Sequence, residues 1–176
     1  MQEWSARAPV VVIPIAVDWA ALYQEHAQEL AGYLAKLLGD RETASELTQE
    51  AFIRGLRAER SLREPAAALG WLYRTGTNLA TSHLRRRALL RFLPLTGVEI
   101  AAPDSFDVEA AQVRAALRSI STDHAATLLL FYDVGFDRKE IAAMLGLSEE
   151  TVKSRLARGR KDFMAAYRRL ERGLAR

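Results

Sequence analysis

Apolar residues recur at helical spacing along most of the chain, and polar stretches break that pattern in only a few places. After Asp18, a good N-cap, the residues Trp19, Leu22, Tyr23, His26, Leu30, Tyr33, Leu34 and Leu37 predict an amphipathic helix. Gly39 supplies a stop, and Asp40 caps a second helix at once. That helix carries Ala44, Leu47, Ala51 and Leu56 on one stripe and Glu42, Glu46 and Glu50 on another. The basic segment RAERSLREP interrupts it. Pro65 then suits a first helical turn, and a long helix runs through Leu69, Leu72, Tyr73, Leu79 and Leu84 into Arg85, Arg86 and Arg87.

The period is lost in LPLTGVEIAAPDSFD, residues 93–107, which holds two prolines, a glycine and the acids Glu99, Asp104 and Asp107. This composition reads as a flexible acidic linker. Helices are expected over 108–120 and 123–132, followed by two shorter ones separated by LGLS. The fold class is therefore all-α: two small helical domains, 18–92 and 108–176, joined by the linker, the second ending in a helix-turn-helix. Residues 1–17, including PVVVIPIAV, form an arm. That stretch is too short and too broken by Pro14 for a membrane span, and it lacks the features of a signal peptide.

The final pair of helices can be read residue by residue. Asp137 and Glu140 make a capping box, Ile141, Ala142 and Leu145 an inward face, and Gly146 the left-handed stop. Ser148 caps the next helix, where Glu149 and Glu150 suit the positive end. Val152 and Leu156 then point inward, leaving Thr151, Lys153, Ser154, Arg155 and Arg158 outside. A recognition helix reads base edges from its N-terminal half while longer cations grip phosphates, and these residue types suit that task.

Composition narrows the chemistry. The chain has no cysteine, which removes disulfides and thiolate sites and fits a reducing cytoplasm. Its three histidines, His26, His83 and His124, are scattered, so no metal site and no cofactor is expected. Nor is there a nucleophile–base pair or a glycine-rich phosphate loop, and no catalytic residue is assigned. The net charge is only +3, but the cations are clustered. Nine of them follow Glu149 against four acids, and Arg85, Arg86, Arg87 and Arg91 form a second patch. Two basic patches suit a phosphate backbone touched twice.

The segments LYQEHAQELAGYLAKLLGDRETASELTQEAFIRGLR and WLYRTGTNLATSHLRRR resemble the first conserved domain of bacterial RNA polymerase sigma factors. The similarity is to the extracytoplasmic-function (ECF) group, and the helix-turn-helix resembles that group's last domain. The resemblance implies a promoter-specificity subunit that binds RNA polymerase core and promoter DNA. It places Glu46, Leu47, Gln49, Glu50 and Phe52 on the motif that docks on the clamp helices of the largest polymerase subunit, although Leu47 and Phe52 serve equally as core. It implies that Arg60, Arg63, Trp71, Arg74 and Asn78, with Arg85, Arg86 and Arg87, handle the −10 element. Trp71 also serves as core packing. Thr151, Lys153, Ser154, Arg155 and Arg158 would read the −35 element. An anti-sigma partner is common in the group, and no membrane insertion is expected.

The chain departs from the family pattern at Thr75, Gly76 and Thr77 and at Ser82. Two alternatives follow. A stand-alone helix-turn-helix regulator accounts for the C-terminal hairpin but not for residues 22–57. A sigma-like decoy, binding polymerase without initiating, draws its support from the Thr75–Gly76–Thr77 departure.

Overall fold

Helix forms wherever the three-and-four spacing runs unbroken. The computed structural model describes residues 17–58, 66–90 and 108–174. Among these, seven α-helices and no strand are present: α1 (Trp19–Leu38), α2 (Arg41–Ala58), α3 (Ala66–Leu90), α4 (Val108–Ser119), α5 (Thr122–Leu129), α6 (Arg138–Leu145) and α7 (Glu149–Leu174). The arm through Ala16, Arg60, Arg63, Pro65, and the linker 93–107 lie outside the described residues.

The punctuation is set by local chemistry. Asp18 Oδ1 accepts from the Ala21 N–H and starts α1, and Gly39 ends it in the left-handed conformation. Asp40 Oδ1 accepts from the N–H groups of Glu42 and Thr43, and its Oδ2 accepts from the Thr43 hydroxyl. That hydroxyl is the main reason the Asp40 carboxyl is held below its ordinary range. The neighbouring Arg87 cation adds to it.

Two expectations need correction. The helix expected to end at Tyr132 instead widens after Leu129 into a π-helical turn, Leu130–Val134. The N–H groups of Gly135 and Phe136 both donate to the Leu130 carbonyl, which produces that wider turn. The last helix is also not short, running 26 residues to Leu174. Phe163, Ala166 and Tyr167 keep the inward period beyond the basic run, so α7 continues along α4.

Leu30, Tyr33, Leu34, Leu37 and Leu38 of α1 pack with Ala44, Ala51 and Phe52 of α2 and with Ala68, Leu72 and Tyr73 of α3. The same apolar core continues through Leu128, Leu129, Leu130, Ile141, Val152 and Leu156 of the C-terminal half. The two halves are thus folded on each other, with α1 touching α4, α5 and the π-turn and α3 touching α6. Lys36 of α1 pairs with Asp133 of the π-turn across this junction.

Candidate nucleic-acid interface

The helix-turn-helix is built as its residues dictate. Asp137 Oδ1 accepts from the Glu140 N–H at 2.8 Å, and the Asp137 N–H donates back to Glu140 Oε2 at 2.7 Å. Gly146 ends α6 at φ +68°, a value that disfavours any residue with a Cβ. The Leu147 N–H then donates to the Ala142 carbonyl, closing the turn. Ser148 Oγ accepts from the Thr151 N–H at 3.1 Å and starts α7. Ile141 and Val152 are fully buried against each other's helices, which fixes the crossing of α6 and α7.

Burial along α7 sorts its N-terminal residues. Val152, Leu156 and Gly159 face inward, and Lys153, Ala157, Arg158 and Lys161 are exposed. Thr151, Ser154 and Arg155 are half-buried. Lys153 Nζ lies 3.3 Å from Glu150 Oε1, and Arg155 turns to the flank facing α5, where its Nη2 lies 3.0 Å from Asp123 Oδ2. Sequence reasoning did not find Asp123. The pairing spans 32 positions (123 to 155) and leaves no local signal. Ser121, Ser148, Thr151, Ser154, Arg155 and Arg158 line a polar hollow of about 450 Å³ at the start of α7.

On α3 the residues split lengthwise. Arg74, Asn78, Ser82, Arg85 and Arg86 are exposed, whereas Gly76, Thr77 and Ala80 are buried, the first two against α1. Of the residues that depart from the family pattern, Gly76 and Thr77 therefore have a packing role. A Cβ on Gly76 would lie 3.3 Å from Leu30 Cδ1, so the glycine lets α3 close on α1. The Thr77 hydroxyl donates to the Tyr73 carbonyl at 2.7 Å and lies 2.8 Å from Tyr33 Oη. Because Thr77 spends its only proton on Tyr73, Tyr33 is the donor in the second bond. Burial pushes the Tyr33 hydroxyl pKa up, against the smaller opposing effect of Thr77, and keeps that donor protonated. Trp71 is half-buried, edge-on to Trp19 with centroids 6.3 Å apart. Arg87 is half-buried beside Asp40, off the exposed stripe.

On α2, Glu46 and Gln49 are exposed and Glu50 is half-buried in an ion pair with Arg54 at 2.7 Å. Leu47 is half-buried, and Phe52 is buried edge-on to Tyr23 with centroids 5.0 Å apart. Leu56, expected on the inner stripe, is instead 54% exposed, and Ile53 is 41% exposed. Thr48, Ala51, Phe52 and Gly55 fill the inner face, which leaves the stripe 46, 49, 53, 56 outside. Ile53 and Leu56 are surface residues that periodicity marked only as the next steps, four and then three residues on, of the stripe through Glu46 and Gln49.

The exposed stripe of α3 and the start of α7 meet. Asn78, Thr81, Ser82 and Arg85 share a cleft of about 310 Å³ with Asp123, Leu147 and Arg155. Tyr73 of α3 and Phe136 before α6 close the junction beside it.

Residues 22–89 match the family model for sigma-70 region 2, and residues 110–163 match that for sigma-70 region 4. The ECF RNA polymerase sigma factor SigE of Mycolicibacterium smegmatis is 33% identical over 85% of this chain, which spans 63% of that relative's length. SigL of Mycobacterium tuberculosis, another ECF sigma factor, is 32% identical, with 77% of this chain and 81% of SigL covered. Among solved structures, the fold is shared with the sigma factor RpoE of Bartonella quintana, crystallised with the anti-sigma factor NepR. That match has a TM-score of 0.70 at 20% identity and covers 86% of this chain and 97% of RpoE. CnrH, solved with the cytosolic domain of CnrY, gives 0.64 at 25% identity, covering 84% and 85%. With both sigma regions matched in order and a relative such as SigL covered over most of its length, the chain belongs to the ECF RNA polymerase sigma factors.

Proposed function

We propose that the chain is a non-catalytic promoter-specificity subunit of RNA polymerase, working where the polymerase works, in the cytoplasm. No described helix is long and apolar enough to cross a membrane. The outer stripe of α2 supplies the polymerase contact: Glu46, Gln49 and Glu50 for a basic partner surface, and Leu47, Ile53 and Leu56 for apolar contact with the clamp helices. Phe52 supports this stripe from within. The exposed stripe of α3, Arg74, Asn78, Arg85 and Arg86, tracks the −10 strand. Arg60, Arg63, Trp71 and Arg87 belong to this reading through the family resemblance. Thr151, Lys153, Ser154, Arg155 and Arg158 of α7 form the −35 face.

The observation that carries this reading is the coexistence, in one chain, of an uncovered apolar–acidic stripe and a doubly capped basic helix-turn-helix. A free-standing regulator needs the second and gives no reason for the first. The decoy reading loses its support, because Gly76 and Thr77 pack against α1 rather than face nucleic acid.

The shared cleft between α3 and α7 has the volume of a small-molecule pocket, far too little for a duplex. The two halves must part before both take DNA, and docking on core polymerase is the event that separates them. A regulatory partner of the anti-sigma kind, such as the NepR bound to RpoE in its crystal structure, would act by preventing that separation.

Reconstituted transcription with core polymerase tests the proposal. Promoter-dependent transcripts that require the chain are the expected result. Binding to DNA without core, or to core without open complexes, would sink it.

A further inference from the structure

Arg155 is a cation whose charge the fold has balanced with a carboxylate. Its guanidinium meets the Asp123 carboxylate 3.0 Å away, and 27% of its side chain remains exposed. Asp123 stands in the first turn of α5. The pair is not what holds α5 to α7. Farther along the same helices His124 Nδ1 lies 2.9 Å from Asp162 Oδ2. At Gly159 an added Cβ would come within 3.2 Å of His124 Cβ and 3.3 Å of Leu128, so the helices are already in close contact there. Asp123 is 56% exposed, and an ion pair at such a rim adds little stability.

Its effect on recognition is a different matter. A free arginine on a basic face goes first to phosphate, the strongest and least selective attraction DNA offers. Arg155 keeps its charge, but the pair it forms with Asp123 has no net charge. A phosphate that approaches it also approaches the carboxylate and is repelled. A base edge is neutral and is not. The guanidinium has five N–H donors, and the single contact to Asp123 leaves others for the O6 and N7 acceptors of a guanine. Lys153 and Arg158, both exposed, remain for the backbone.

We propose that Asp123 is a specificity-determining residue: it holds Arg155 out of non-specific phosphate contact and reserves it for a base edge. This rests on the promoter-binding reading above and names a positioning residue within it.

The test uses the full chain reconstituted with core polymerase. One duplex is enriched by that complex from a randomised library, and a second is its shuffled counterpart. Both are titrated across a salt series. In Asp123→Asn, binding to the shuffled duplex should tighten, and its log–log salt slope should steepen by about 0.9, one added phosphate contact. Preference for the enriched duplex should fall about tenfold, the discrimination carried by one good base contact.

An unchanged slope and preference would overturn the inference, as would a drop in melting temperature with equal weakening on both duplexes. The charge-swapped Asp123→Arg, Arg155→Asp chain gives a second check. It should keep its melting temperature without regaining preference, and recovered preference would reduce the pair to a structural tie. If the wild-type complex itself shows no preference for the enriched duplex, the promoter reading fails and takes this inference with it.

Discussion

The ring of Tyr73 in α3 meets that of Phe136, just before the helix-turn-helix, edge-on, with centroids 5.0 Å apart and planes at 80°. Together with the Lys36–Asp133 pair it clips the two halves of the chain into one body. Combining Phe136→Ser with Asp133→Lys removes the ring and sets like charges opposite each other. The wild-type radius of gyration should be near 16 Å, the value for a compact chain of this length. Small-angle scattering should show the double variant several ångströms larger, with helical circular dichroism unchanged. An unchanged radius would mean that the apolar face of α1 holds the halves without this clip.

The Tyr33–Thr77–Tyr73 hydrogen-bond chain is buried, so its removal should register as stability. Thr77→Val preserves shape but leaves the Tyr33 hydroxyl without its acceptor, at a cost of about 1–3 kcal/mol. A chain of this size then melts roughly 2–10 °C lower. Transcription measured well below the melting range should stay near wild type, since the residue faces α1. Lost activity at unchanged stability would move Thr77 to the functional surface.

Asp40 offers a pH test. Its folded carboxyl titrates below the ordinary aspartate range, so its stabilisation is complete above that range and disappears as pH falls through the lower, folded value. Asp40→Ala should cost about 1 kcal/mol at neutral pH, as loss of a helix cap does. Urea titrations of both proteins should therefore differ at pH 7, begin to converge below about pH 4, the unfolded range of an aspartate, and meet only below the folded value. A gap that persists at low pH would trace the cost to helix propensity rather than to the charged cap.

The two faces of α2 should separate binding from folding. Ile53→Asp and Leu56→Asp alter exposed positions, so melting should hardly change while affinity for core polymerase falls at least about tenfold, the loss expected of an interface anchor. Phe52→Ala opens the core instead and costs about 3–5 kcal/mol. Labelled-chain titrations with core polymerase, read beside thermal melts, distinguish the two. Full affinity in Leu56→Asp would place the docking surface elsewhere.

Most of the helical layout was legible because long periodic runs and side-chain caps act locally. Asp18, Gly39, Asp137, Gly146 and Ser148 all stand where their own chemistry places them. Leu56 was misread because the buried face of α2 runs through Ala44, Thr48, Ala51, Phe52 and Gly55, where a Cβ-less Gly55 meets the Trp19 ring, and leaves Leu56 on the edge outside it. The π-turn after Leu129 was invisible because a wider turn leaves no mark in residue spacing. Of the site, the exposed cations of α7 and α3 follow from periodicity, whereas Arg155 does not. Its partner lies on another helix, and a pairing fixed by tertiary packing has no signature along the chain.

The lengthwise division of α3 bears on how such a protein can change. Gly76, Thr77 and Ala80 are pinned by their burial, while Arg74, Asn78, Ser82 and Arg85 touch open surface or the cleft. Mutation on the second set leaves the first undisturbed. Under the function proposed above, drift in which promoters are used would be uncoupled from the ability to fold, and a lineage could rewire the genes it controls without passing through an unstable intermediate.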